Sequence, residues 1–193
     1  MKNKLLAILC LLMAASCTHK NPFEDAIRQQ VIKNAMGMDL KPTFQEIKVL
    51  DTVHVKELVD DWYLWNGDNY PRDTVRNGIA QLAKQYHDLA QDDPQYASTA
   101  DIWQYKSDRI NYLESGAKDV EYYVVSVHYS FKNPLLNNIE VNNYQVYLIN
   151  DKNEVVCYDD EDDFKKYTKE FDKTPLMKYE MLVYSKTKGV EVF

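Results

Sequence analysis

Four histidines occur in the chain, and two of them, His54 and His128, fall in stretches that read as β-strand. Imidazole titrates near neutral pH, so two of them on adjacent strands could act as acid and base, with or without a nearby carboxylate, or could ligate a metal ion. Metal motifs normally place at least two ligands close in sequence, as in His-x-x-x-His, and His87 has no such partner. The spacing favours two solvent-facing histidines and implies no metal site. The run Asp159-Asp-Glu-Asp-Asp163 is rich in carboxylates, but a calcium loop needs a sharp turn, typically at a central glycine, and this run has none. Lys165, Lys166 and Lys169 follow, and acid early with base late is what a helix dipole prefers. Helix capping is the expected use.

The richest segment runs from Asp60 to Tyr70. Trp62, Tyr63, Trp65 and Tyr70 offer faces that could stack on sugar rings or a peptide, while Asp60, Asp61, Asn66, Asp68 and Asn69 supply hydrogen bonds. The competing use is structural: Trp62 and Trp65 plug the open end of the core, since adjacent aromatics on a short helix point in different directions. The spacing favours the plug. Cys157 lies on the strand face opposite Val156 with no histidine paired to it by any motif, so a small buried hydrophobe is expected. No Gly-x-Ser-x-Gly, His-Glu-x-x-His, Walker or dinucleotide pattern occurs, and Gly37, Gly67, Gly78, Gly116 and Gly189 are too dispersed for a phosphate-cradling loop. An enzyme is not expected, and no cofactor is implied.

These residues need elements to hold them. Asn21-Pro22-Phe23-Glu24 reads as a helix start, with Asn at the cap and Pro at the first helical position, and Gly37 as a stop. Thr43 to Val55 predicts a long strand with a bulge near Val49-Leu50, and Glu57 to Tyr70 a short helix and an exposed loop. Val75, Ile79, Leu82, Tyr86 and Leu89 lie on one helical face. Ser98-Thr-Ala-Asp101 resembles a capping box that opens a helix carrying Ile102, Trp103, Ile110 and Leu113, which Gly116 ends. Val120 to Phe131 predicts a strand with Tyr123, Val125, Val127, Tyr129 and Phe131 facing the core. Tyr122, Val124, Ser126, His128 and Ser130 take its outer or cavity side. Asn133-Pro134 and Asn137-Asn138 turn the chain into a strand from Ile139 to Ile149, and Asn150-Asp-Lys-Asn153 makes a hairpin into Glu154 to Tyr158. A short helix around Phe164, Tyr167 and Phe171 stops before Pro175, and Met177 to Tyr184 reads as a last strand.

Helices, an early strand and then a meander give an α+β fold: a curved antiparallel sheet packed against helices. The element order resembles the cystatin-like and NTF2-like folds, and the resemblance implies a cone-shaped cavity between sheet and helices. If that cavity is present, a cavity enzyme or small-ligand binder using His54 and His128 is the alternative function.

The N-terminus reads as an address. Lys2 and Lys4 precede an apolar run of 11 residues, Leu5 to Ala15, too short for a membrane span of about 20 residues. Ala14, Ala15 and Ser16 before Cys17 resemble a bacterial lipobox, although the commonest form has Leu where Ala14 stands. That resemblance implies cleavage before Cys17 and acylation, palmitate included, of its thiol and new N-terminus. Residues 1–16 are then a signal peptide, 17–21 a lipidated cysteine and tether, and 22–193 a single α+β domain. Thr18, in place of Asp, is compatible with the outer-membrane sorting rule of enteric bacteria. The Tyr- and Asn-rich strands resemble small envelope lipoproteins of Bacteroidales-type Gram-negative bacteria.

Composition agrees with this address. Of three cysteines, Cys10 leaves with the signal and Cys17 takes the lipid, so Cys157 has no disulfide partner. Removing Lys2 and Lys4 takes the formal charge from −7 to −9, which disfavours nucleic acid and anionic headgroups as partners of the domain itself. The membrane contact would be the lipid, at about 0.8 kcal/mol per buried methylene. The expectation is a non-catalytic binding or protein-interaction domain, for an envelope protein or a glycan or peptide ligand, on the periplasmic face or the outer membrane.

Overall fold

Asn21 opens the first helix in the way its residue type implies. Its Oδ1 accepts from the Phe23 amide at 3.0 Å and its carbonyl from the Glu24 amide at 3.0 Å, satisfying donors that the helix start would leave bare. In the computed structural model the described residues are 21–35, 38, 40–67, 69–170 and 177–189. The expected signal peptide 1–16, residues 17–20 of the expected lipidated cysteine and tether, the stop expected at Gly37, Asp68, Phe171 and Pro175 lie outside them.

Along the chain come α1 (Glu24–Asn34), β1 (Thr43–His54), α2 (Val55–Gly67), α3 (Arg72–Asp92) and α4 (Ala97–Glu114). β2 (Val120–Asn133), β3 (Ile139–Ile149), β4 (Val155–Asp160), α5 (Glu161–Glu170) and α6 (Met177–Lys188) follow. The strands form one antiparallel sheet in the order β1-β2-β3-β4, and the fold class is α+β. β2 and β3 pair without interruption from Tyr123 opposite Ile149 to Asn133 opposite Ile139. β1 is an edge strand whose register slips between Val49 and Asp51, so the bulge expected at Val49-Leu50 is present.

The sheet is covered on both faces. On one, α1 lays Phe23, Ile27 and Val31 on Val125, Val127, Tyr129, Tyr147 and Ile149. On the other, Tyr122, Val124, Val146, Leu148 and Cys157 meet a helical layer through Leu58, Trp62, Ile79, Ile110, Phe164 and Leu182. The expected outer face of β2 is therefore half core: Tyr122 and Val124 are buried, while Ser126 and His128 beyond them are only partly so. The run Tyr122-Tyr-Val-Val125 is apolar on both faces, as a strand buried on both sides must be.

Two further expectations are corrected. Met177 to Tyr184 is helix, not strand: Tyr179, Leu182 and Val183 recur at i, i+3 and i+4 and are buried, and Lys186 and Lys188 sit in the last turn. The capping box at Ser98 is not formed, because the chain has already turned helical. Asp93 Oδ1 accepts from the Gln95 amide at 3.0 Å, Pro94–Tyr96 makes a 3₁₀ turn, and α4 continues from it at Ala97. The acidic run meets its helix as expected, with Glu161, Asp162 and Asp163 in the first turn of α5 and Glu161 paired to Lys165 at 2.5 Å.

α1 has one buried stripe with which to hold its face of the sheet. Replacing Ile27, fully buried at its centre, by alanine is expected to cost about 2–5 kcal/mol in denaturant unfolding; a loss under about 1 kcal/mol would place α1 outside the core.

Candidate functional site

The aromatic segment lies on α2 and the turn after it, and the helix divides it. Trp62 and Tyr63 share a face with Leu58 and Val59 and are buried, at 2% and 6% exposure. Tyr63 Oη donates to Glu114 Oε1 at 2.6 Å, and burial together with that carboxylate pushes its pKa up to about 12. Trp65 and Tyr70 stand outside, at 44% and 66% exposure. The plug expected of both tryptophans is thus the role of Trp62 alone. Gly67 ends α2 at φ 153°, a backbone conformation that favours glycine, and a Cβ there would also crowd Val75 Cγ2 of α3 at 3.1 Å.

Beyond that turn is a groove of about 220 Å³ lined by Asn66, Tyr70, Thr74, Val75, Gly78, Ile79, Leu82 and Trp103. Val75 and Ile79 are core residues of α3, so its floor is apolar and fixed. Gly78 leaves open space, with no atom within 4 Å of where a Cβ would be. Behind Trp103 the Lys106 ammonium lies 4.6 Å from the Trp103 ring centre and 5.7 Å from that of Trp65, with Asn66 Oδ1 at 3.5 Å. Burial lowers the pKa of this lysine. The arrangement can hold a flat or apolar ligand against aromatic walls and present it a cation.

His54 and His128 lie on neighbouring strands but are not brought together. His128 pairs with Glu46, eight positions along β1 from His54, roughly 26 Å at the rise of a strand. His128 stacks on Tyr144 with ring centres 4.2 Å apart, and its Nε2 is buried without a hydrogen bond. His54 is exposed at the rim of an open depression of about 630 Å³ shared with Lys56, Glu57, Asp60, Arg72 and Asp119. An acid–base pair of histidines is not assembled. Cys157 is buried under the helical layer, and desolvation pushes its thiol up to about 12. Among the described residues no group of three or more His, Cys, Asp or Glu could hold a metal ion.

Residues far apart in sequence supply what sequence reasoning missed. Lys106 meets Trp65 and Asn66 only because α4 packs beside α2. Deeper in the same layer, Arg109 grips Glu180 with Nε to Oε2 at 2.7 Å and Nη2 to Oε1 at 2.6 Å. It also reaches Glu121 at 2.7 Å and the Tyr122 hydroxyl at 2.8 Å, and Tyr105 donates to Glu180 at 3.1 Å. Burial first, and the carboxylates second, hold both phenols above their ordinary range. Neutral phenols around two carboxylates countered by Arg109 and Lys118 make a brace between α4, β2 and α6.

No protein-family model, curated protein or solved structure matches the chain.

Trp62→Ala is expected to cost about 3–5 kcal/mol and Trp65→Ala under about 1 kcal/mol; the reverse order in denaturant unfolding would exchange core and surface. The Cys157 thiol should resist alkylation at pH 8 in the folded chain and react once the chain is unfolded, and prompt labelling of native protein would contradict its burial. Above the ordinary thiol value of 9.0 the unfolded chain binds fewer protons than the folded one, so this residue makes stability fall as pH rises towards 12.

Proposed function

We propose that the protein is an envelope lipoprotein, held by acyl chains on Cys17, whose α+β domain is a non-catalytic binding module. The observation that carries the second half is the groove, where aromatic side chains that a core would bury stand exposed around a fixed apolar floor. Tyr70 is large, amphipathic and exposed, and with Trp103 it lines the groove in the form a small-ligand site takes, while exposed Trp65 flanks it across Lys106. The first half is supported by the apolar run of residues 5–15 and the small residues before Cys17. The acyl chains on Cys17 would be the attachment, and among the described residues no helix is long and apolar enough to cross a membrane. The periplasmic face of the outer membrane, or its outer surface, is the proposed location, and a glycan, a peptide or another envelope protein the proposed partner.

Two measurements on the full chain test this. Cells fed labelled palmitate should incorporate it into the wild type and not into Cys17→Ser, and the variant should leave the membrane fraction; label or membrane retention in Cys17→Ser would overturn the anchor. Detergent-solubilised protein should change its tryptophan fluorescence with members of an oligosaccharide or a short-peptide panel. Trp65→Ala and Tyr70→Ala should weaken that binding at least tenfold with the melting temperature within a few degrees of wild type. No binding from either panel, or affinities unmoved by both variants, would overturn the binding site.

A further inference from the structure

Among the described residues, Lys106 stands out at this corner as a cation with no carboxylate on it. Arg72, Arg76, Arg109 and Lys118 in the same layer each pair with a carboxylate, whereas no carboxylate among the described residues lies within ion-pair range of Lys106. It has indole faces on Trp65 and Trp103 and one amide oxygen, on Asn66. The ring quadrupoles offset part of the cost of desolvating an ammonium, but a partly buried cation still gains most from an anion. Asn66 and Trp103, both in contact with its Nζ, also line the groove, so the charge stands beside the groove, one residue back from its lining.

The groove's shape narrows the ligand. Its lining comes from α2, α3, α4 and the turn at Tyr70, with no strand among them, so an extended peptide finds no free strand edge with which to pair its backbone. Its volume, about 220 Å³, is below that of drug-sized pockets, which suits one compact ring. Gly78 keeps the floor between Val75 and Ile79 open, and Tyr70 and Trp103 give two aromatic faces of the kind on which the C–H face of a sugar stacks. We propose that this groove binds a sugar ring that bears a carboxylate, stacked between Tyr70 and Trp103 with its carboxylate on Lys106 Nζ. The inference rests on the binding-module reading of the same groove and adds to it the charge and the class of the ligand.

The test is calorimetric titration of the full chain in detergent, at low salt, with a galacturonate tetrasaccharide and with its methyl-esterified, neutral counterpart. The acid should bind about tenfold more tightly than the ester, the margin of a charge-assisted hydrogen bond. Lys106→Met, which keeps the apolar stem between the indoles, should erase that margin while leaving the ester's affinity within a factor of about two. Lys106→Gln serves the same purpose should the methionine variant not fold. Equal affinity for acid and ester, or a preference that survives loss of the ammonium, would overturn the assignment. Tyr70-dependent binding of peptides with no binding of either saccharide would overturn it and leave the binding module standing; binding of nothing would remove both.

Discussion

The bidentate pair of Arg109 with Glu180 is the interaction on which the helical layer depends. Glu180 has no exposure and Arg109 little, so each ion has been taken out of water at a cost that only the other, with Glu121, Tyr105 and Tyr122, offsets. The pair joins α6 to α4, and Glu121 carries the connection into β2. Two helices distant in sequence are thereby fixed against the sheet with little freedom to slide, because a shift that separated the charges would leave them buried and unpaired. α4 also carries Trp103 and Lys106. The position of the groove's aromatic wall and of its cation therefore follows from an ion pair buried one to two turns further along the same helix.

From that constraint the division of labour between core and surface follows. The sheet packs on both faces, one under α1 and one under the helical layer. The groove lies at the edge of that helical layer, where α2, α3 and α4 meet. α2 serves both sides: Trp62 and Tyr63 close the core, and Trp65, nearly a turn further on, stands at the surface. A site assembled on packed helices over a rigid floor is preorganised, and preorganisation lowers the ordering cost of binding.

The meander was legible because its strands alternate and its turns carry asparagines whose local chemistry fixes them; Asn137, Asn138 and Asn153 all adopt positive φ. The bulge in β1 was legible for the same reason, as a slip in alternation. α6 was not, since Met177 to Tyr184 is apolar at nearly every position and only tertiary burial selects the helical period over the strand period. The two histidines illustrate a second limit: adjacency of strands was foreseeable, but the register that sets His128 opposite Glu46 rather than near His54 depends on the pairing of whole strands. The Trp62–Tyr70 segment was identified, and its split into core and surface awaited knowledge of which helical face α2 buries. The Lys106–Asn66 contact and the Arg109–Glu180 pair left no local trace, because they join residues 40 and 71 positions apart on different elements.

The central claim, that Trp65 and Trp103 frame a surface site around Lys106 while Trp62 belongs to the core, can be read directly from fluorine NMR of the full chain with 5-fluorotryptophan in its three tryptophan positions. A solvent isotope shift is expected for Trp65 and none for Trp62, and the Trp65 and Trp103 resonances should move together on Lys106→Met while Trp62 stays in place. A solvent-exposed Trp62, or a Lys106→Met spectrum in which Trp65 and Trp103 do not move, would contradict it.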